Sequence, residues 1–468
     1  MLPKEYLELL QSAYRYHPEM LDLRNVISRV PGESPSRPST LPEYYFKADG
    51  KKFADITIHD PVEFNFNHLL STLPDDTAAC FNDTSKLAVG EIESADVNGS
   101  AIPIPDSEGW VITIRRGLSY LIYHIIRTLS MTYNWNEPTS GTLIQSRLER
   151  SEAAQAIGEV LNYYCKLGVV YGKSFDANNH HIWFADVVAT AAHRFVLCHE
   201  LAHFVLGHTT RSNLNAVDDG ATTFSESARK HDQELAADLE GWSLLFMSAM
   251  TADVTNSQGL PYVAPNNLTA SYAGASTFIQ ISDLIDTVCG RREMSSHPEA
   301  QVRLDRLREY AVIACDAVKL DVKQISGFEE ALSDALGDVR AWIVENLEIL
   351  QKSPFNKLAS ECAASNPPDY NTFYQTCLTW MSQGSPHKFC RMLGYHQAEM
   401  ENELGLDSAK DNGPSFESLA KQIGRDAIVS KINHLKLITG LLSNLNAESN
   451  LKVDKYYRKG KAEIEGMT

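Results

Sequence analysis

Five consecutive residues, His199 to His203, carry the spacing in this sequence that points most directly to chemistry. They read His-Glu-Leu-Ala-His. His199 and His203 are four residues apart, so on a helix both imidazoles project from one face, one turn apart. Two ring nitrogens at that spacing can reach one Zn²⁺ at about 2.0–2.1 Å. Chance alone gives roughly 0.03 such matches in a chain of this length and composition, so the pattern predicts a zinc site.

Glu200 stands between the two histidines in sequence but about 100° round the helix. From there its carboxylate could contact a zinc-bound water without ligating the metal, as a general base in hydrolysis does. The motif lies in the apolar run ATAAHRFVLCHELAHFVLGH, which predicts a long helix from about Thr190 to His208. His208 would then lie about 140° from the ligand face, and we expect it to be structural.

A catalytic zinc ion needs a third protein ligand and one open coordination position. Leu206 and Thr209 stand where the metzincin pattern has glycine and histidine, which excludes that subclass. Our candidate is Glu234, in the segment Gln-Glu-Leu-Ala-Ala-Asp of a following predicted helix. The alternatives are nearby carboxylates and one histidine: Asp218, Asp219, Glu226, His231 and Glu240.

Asp238 follows Glu234 by four residues and therefore shares its helical face. It could accept the free ring N–H of a ligating histidine and fix that histidine's tautomer. The alternative is a carboxylate that stabilises the N-terminal turn of its own helix. The small side chains of Ala236 and Ala237 would let the two helices approach closely.

Three segments resemble parts of known metallopeptidases and together cover about 120 residues, from Thr190 to Leu307. HRFVLCHELAHFVLGH resembles the active-site helix of the ImmA/IrrE-type metallopeptidases, and the E-x-x-x-D from Glu234 to Asp238 is similar to that of gluzincins. Ser-His-Pro-Glu-Ala-Gln-Val-Arg-Leu-Asp-Arg-Leu, at 296–307, resembles the His-Pro…Arg segment of HtpX-like and Oma-like peptidases. The chain lacks the membrane spans of HtpX-like enzymes, and it departs from ImmA/IrrE-type proteins in size and in showing no N-terminal helix-turn-helix. A phage-exclusion protease of the Lit type is a further soluble comparison.

The resemblance implies a role for each residue of the site. Glu200 becomes the base, Asp238 supports a ligand, and His297 or Arg303 faces the site and stabilises the oxyanion. The implied zinc ligands are His199, His203 and Glu234. Two of these roles have simpler alternatives: a polar residue just before Pro298 starts a helix well, and Arg303 could form an ordinary structural pair.

The composition restricts the classes of molecule that this protein is expected to bind. The 468 residues include 42 Lys plus Arg and 60 Asp plus Glu, so the net charge of −18 repels phosphate backbones and anionic lipids. We therefore expect a protein or peptide substrate, no nucleic acid and no membrane, and we see no signal peptide or membrane span. The eight scattered cysteines form no CxxC pair and are typical of free thiols in a reducing compartment. The expected location is the cytoplasm, and the oligomeric state is left open.

The fold class we expect is α+β and mostly helical, with a gluzincin-like core of a small sheet plus active-site helices, followed by a helical C-terminal region. The expected divisions are an N-terminal helix and Pro-rich linker (1–43), a zinc metallopeptidase core (44–310) and a helical recognition or regulatory region (311–468). FADITIH and WVITI are predicted strands, with GSAIPIPDSEG a loop between them. HIWFADV, at 181–187, is predicted to be an edge strand on which a substrate peptide could lie extended.

Two polar stretches are predicted to be irregular: 209–230, long enough for a lid over the site, and 251–276. Taken together, the expectation is a zinc-dependent endopeptidase acting on an intracellular protein, in a regulatory, stress or phage-defence role. The alternative is a catalytically quiet zinc-binding sensor or interaction module on a gluzincin core.

Overall fold

The computed structural model describes most of the chain. The described residues are 2–14, 61–92, 99–104, 107–136, 143–167, 170, 172–173, 175–208, 231–256, 264–289, 298–350, 354–365, 369–383, 389, 393, 396–397 and 431–441. The predicted strand FADITIH and the predicted lid at 209–230 lie outside them.

The described elements are mostly helices, as predicted. The helices are α1 (Pro3–Tyr14), α2 (Pro61–Thr72), α3 (Asp75–Ala79), α4 (Arg116–Ser130), α5 (Arg150–Leu167), α6 (Asn179–Val205), α7 (His231–Asn256), α8 (Ala264–Cys289), α9 (Ala300–Ala317), α10 (Gly327–Glu345), α11 (Leu347–Leu350), α12 (Pro354–Ala364) and α13 (Tyr370–Gln383). A 3₁₀ turn covers Val322–Gln324. The strands are β1 (Leu87–Ile92), β2 (Gly99–Pro103), β3 (Trp110–Arg115), β4 (Trp135–Asn136) and β5 (Leu143–Ile144).

The small sheet has three strands in the order β1-β3-β2. The predicted strand WVITI forms its centre as β3, parallel to β1 and antiparallel to β2. The segment GSAIP, which we expected to be a loop, forms the edge strand β2. Pro103 ends that strand, where its missing N–H removes no bond from the interior of the sheet. A two-stranded ladder of β4 and β5 is separate.

Helix α6 carries the His-Glu-Leu-Ala-His motif and packs against α4, α7 and α8. It begins eleven residues earlier than expected, because HIWFADV is helical and not a strand. The side chain of Asn178 accepts hydrogen bonds from the backbone N–H groups of His180 and His181, at 3.1 and 3.0 Å, and so starts the helix. Over a segment this short, a 3.6-residue period of buried side chains resembles the alternation of a strand. The buried residues that follow the helical period are His181, Phe184, Ala185 and Val188.

Helix α8 contradicts a second expectation, since residues 264–276 were predicted to be irregular. Pro265 is the second residue of α8, where a missing backbone N–H has no intrahelical partner to lose. Further along, Gly274 meets α6 directly: a Cβ there would lie 2.5 Å from the backbone nitrogen of Ala192. The two helices therefore touch backbone to backbone and bury the middle of α6.

The elements form two compact units. The first contains α1, all of the described strands and most helices up to Leu347. Helix α1 belongs to this unit too, with Leu7 packed against Ile104 and Val111. Helix α10 buries a stripe of apolar residues: Leu332, Leu336, Val339 and Ile343.

The second unit includes α12, α13 and residues 431–441. Its core is aromatic, with Phe355 against Phe373 and Phe389, and Tyr163 against Trp380. The C-terminal region is thus helical with a core of its own wherever it is described.

The cysteines correct one expectation. Cys165 and Cys289 each take part in a disulfide, whereas five described cysteines are free thiols: Cys80, Cys198, Cys315, Cys362 and Cys377. In the described part of the chain, no helix combines the length and apolarity needed to cross a bilayer.

Candidate functional site

The two histidines of the motif lie side by side in the last turns of α6. The Nε2 atoms of His199 and His203 are 3.1 Å apart, and their rings meet edge to face. Both side chains are buried. The helical spacing thus turns the same nitrogen of each imidazole toward one point.

Glu234, in the first turn of α7, closes a triangle with these nitrogens. Its Oε2 lies 3.3 Å from Nε2 of His199, and its Oε1 lies 3.5 Å from Nε2 of His203. All three side chains are buried, and the group could hold a metal ion. Ligands of a tetrahedral zinc ion at 2.0–2.1 Å are separated by about 3.3 Å. The separation of 3.1 Å between the two ring nitrogens and those of 3.3 and 3.5 Å to the nearer oxygen of Glu234 are close to that value.

The face that α7 presents to α6 consists of Glu234, Asp238 and Gly241, at positions i, i+4 and i+7. Gly241 allows the approach: a Cβ there would lie 2.8 Å from the backbone nitrogen of His199 and 2.9 Å from its Cα. Ala237, at position i+3 on the same face, is fully buried as well. The spacing of Gly241 from Glu234 was the sequence feature that could have identified the contact of Gly241.

On the side of His199 opposite Glu234, two charged side chains follow one another: Asp238 and Arg303. Nδ1 of His199 is 3.0 Å from Oδ1 of Asp238. Arg303 of α9 donates two hydrogen bonds to the same carboxylate, Nε to Oδ2 and Nη2 to Oδ1, both at 2.7 Å. The side chains of Asp238 and Arg303 are only 2% and 3% exposed. Arg303, which we expected to face the reacting atoms, therefore binds the carboxylate that lies beside His199.

The charged groups of this cluster favour a positive charge at His199. Burial alone would raise the pKa of Asp238, but the guanidinium of Arg303 outweighs it and holds that pKa well below its usual range. Burial likewise opposes the charged form of His199, yet its hydrogen bonds with Asp238 and Glu234 raise its pKa to about 10. The same carboxylates would favour a metal cation between the ring nitrogens.

Glu200 lies on a different side of α6 and faces the sheet. A Cβ on Gly99, the first residue of β2, would lie 3.3 Å from Cγ and 3.4 Å from Oε1 of Glu200. The glutamate is buried, at 4% exposure. It follows His199 directly in the chain and does not belong to the group of His199, His203 and Glu234.

His208 is brought to the site by the way α6 ends. The backbone N–H of His208 donates to the carbonyl of His203, and that of Gly207 donates to Phe204, while Gly207 has φ of +65°. This is a Schellman C-cap. It places Nδ1 of His208 3.1 Å from Nδ1 of His203. The expected offset of 140° does not apply, because the helix has already ended.

The remaining candidates are not part of this group. His297, the other expected oxyanion donor, lies outside the described residues, as do Asp218, Asp219 and Glu226. His231 is exposed and Glu240 partly exposed, and neither joins the metal-binding triangle found among the described residues.

Comparison with known proteins gives one match. No curated protein and no solved structure matches the chain. A family model described as Peptidase U49 matches residues 118–318. That segment holds α6, α7 and α9 and every residue of the cluster, from His199 to Arg303. Over this part of its length the chain is similar to the U49 peptidases, and the match supports a peptidase.

Proposed function

We propose that this protein is a zinc-dependent endopeptidase of gluzincin type. One observation carries the proposal: His199, His203 and Glu234 form a buried triangle of the size that tetrahedral zinc requires, with Glu200 beside it on the same helix. Two histidines and one glutamate also form the ligand set of known zinc peptidases, leaving a fourth position open. A zinc ion held there would supply Lewis acidity, which acidifies water toward pH 7 and polarises a peptide carbonyl.

Four residues of the chain would carry out the other steps of the proposed reaction. Glu200 accepts a proton from the attacking water and passes it to the leaving amine, which is why it must stand next to the ligands without being one. Asp238, held by Arg303, fixes the orientation of His199 through its Nδ1. We therefore assign Arg303 to positioning and leave His297 as the proposed donor to the oxyanion.

The substrate proposed is an extended segment of an intracellular protein. Since HIWFADV is helical, the strand that we propose for such a segment is β2, one of the two edge strands of the described sheet, because its Gly99 lies beside Glu200. The proposed setting is the cytoplasm, which the five free cysteines among the described residues favour. The disulfide-bonded state of Cys165 and of Cys289 does not favour it.

The test compares wild type with Glu200→Gln and with the control Glu240→Gln, each purified as the full chain and profiled for new peptide ends in a cell lysate. Gln is nearly isosteric but cannot take a proton at neutral pH, so zinc content should be unchanged while cleavage falls by about 10²–10⁴. Glu240→Gln should cut like wild type. Near wild-type cleavage by Glu200→Gln would refute the mechanism. If wild type and both variants contain zinc but none of them cleaves any protein, the alternative of a catalytically inactive metal-binding module would be favoured.

A further inference from the structure

The two histidines of the triangle are supported in different ways. The Nδ1 atom of His199 faces a carboxylate, that of Asp238, at 3.0 Å. The Nδ1 atom of His203 faces another imidazole nitrogen, Nδ1 of His208, at 3.1 Å. Both distances are short enough for hydrogen bonds, so each ligand has its own partner behind it.

We infer that His208 is a positioning residue that fixes the tautomer and orientation of His203 in the metal site. A neutral imidazole carries one N–H, and a ring that offers the lone pair of Nε2 to a metal must carry its hydrogen on Nδ1. That hydrogen points at Nδ1 of His208, which must then accept it and keep its own hydrogen on Nε2. The inference rests on the proposed zinc site.

The backbone conformation at Gly207 brings His208 against His203. Because Gly207 takes the left-handed conformation, the chain reverses at the helix end and His208 N–H binds the carbonyl of His203 itself. The backbone and the side chain of His208 therefore both bind the same residue. No atom within 4 Å would oppose a Cβ at Gly207, so backbone conformation, and not crowding, requires glycine there.

His208 is a partner of His203 and not a fourth ligand. Its nearest nitrogen is on the Nδ1 side of the His203 ring, whereas the triangle is built on the Nε2 side. The rings of His203 and His208 also pack edge to face, with centroids 5.3 Å apart. Two roles are thus separable by substitution: acceptance of the Nδ1 hydrogen and packing of the ring.

The experiment uses two variants that separate these roles. His208→Asn keeps an acceptor oxygen near the position of Nδ1 and loses the ring, whereas His208→Phe keeps the ring and loses the acceptor. The full-length chain is titrated with Zn²⁺ in competition with a chelator of known affinity, and the thermal midpoint is measured with excess chelator. We expect His208→Phe to bind Zn²⁺ about 10–100-fold more weakly, as for other partners behind a ligand, and His208→Asn to stay close to wild type.

The outcomes are distinct. Wild-type zinc affinity in His208→Phe, or equal loss in both variants, would overturn the inference. If wild type itself binds no Zn²⁺, the proposed function fails, and not merely the role of His208. If His208→Phe does not fold, ¹⁵N-histidine NMR of the zinc-loaded wild type decides: a protected Nδ1–H on His203 is expected, and its absence contradicts the inference.

Discussion

Gly241 of α7 and His199 of α6 touch through their backbones alone. A single methyl group at Gly241 would have to displace the backbone of the residue that carries a metal ligand, and no flexible side chain stands between them to absorb the change. Since Glu234 and Asp238 are carried on the same face of α7, the distance between the two helices sets the size of the ligand triangle. A position without a side chain therefore controls the geometry of the site.

Gly241→Ala should weaken zinc binding and destabilise the protein by about 1–3 kcal/mol, the usual cost of overpacking. Gly337→Ala is the matched control, because Gly337 lies on an exposed turn of α10 with no atom within 4 Å of an added Cβ. That control should be neutral or stabilising by up to about 1 kcal/mol. Chelator competition and urea unfolding measure the two quantities. Wild-type zinc affinity in Gly241→Ala would contradict the assigned contact.

Glu234→Ala should remove the proposed third ligand and weaken zinc binding by roughly 100-fold or more. That loss exceeds the one expected when a residue that only hydrogen-bonds to a ligand is replaced. Glu240→Ala, on the same helix and outside the group, should bind zinc normally. Metal analysis after dialysis against a weak chelator distinguishes them. Retention of full zinc by Glu234→Ala would show that another residue is the third ligand.

Arg303→Met should cost about 3–5 kcal/mol of stability, because it takes the buried guanidinium from the carboxylate of Asp238 and leaves only His199 beside it. The double variant Arg303→Met/Asp238→Asn removes that charge as well and should lose less than the single one. Urea unfolding in chelator measures both without a contribution from metal. If the single variant proves as stable as the double, the pair does not compensate a buried charge.

His193 should make stability fall at mildly acidic pH. It is buried in α6, and its ring nitrogens have no hydrogen-bond partner in the part of the chain described. Burial, aided by Arg194, lowers its pKa from 6.5 to about 4. Between these values the unfolded chain binds a proton that the folded chain does not, so stability decreases as pH falls through the window, by about 1.4 kcal/mol per pH unit.

His193→Leu should remove that slope. Its stability relative to wild type should rise by about 2–3 kcal/mol between pH 7 and pH 4.5, as measured by urea unfolding. His180→Gln, at an exposed histidine of the same helix, should keep the wild-type slope. Parallel pH profiles for wild type and His193→Leu would mean that His193 is charged or solvated in the folded state.

The sequence predicted the parts of the site that follow from helical periodicity. His199, Glu200 and His203 share one helix, and Glu234 and Asp238 share the next, so their relative positions follow from spacing along each helix. The strand WVITI was also identified, because its β-branched residues fill a buried strand. What periodicity cannot supply is the distance between two helices, which here depends on Gly241.

Other errors came from local signals that tertiary contacts override. HIWFADV shows apolar residues at short intervals, and only the cap by Asn178 and burial against neighbouring helices reveal the helical period. Pro265 looked like a loop residue, although proline is well tolerated in the first turn of a helix. His208 was placed by extending a helix past Gly207, a residue type that commonly ends one.

The ligands also lie at particular ends of their helices. His199 and His203 occupy the last turns of α6, and Glu234 the first turn of α7. The aligned peptide groups make a macrodipole, with partial negative charge at the C-terminus of a helix and partial positive charge at its N-terminus. A cation at the proposed site would lie near the negative end of α6, whereas the anionic Glu234 lies near the positive end of α7. Each such placement is worth about 0.3–1 kcal/mol. The same histidines moved to the middle of a helix would keep their spacing and lose the contribution that the end of α6 makes to holding a cation.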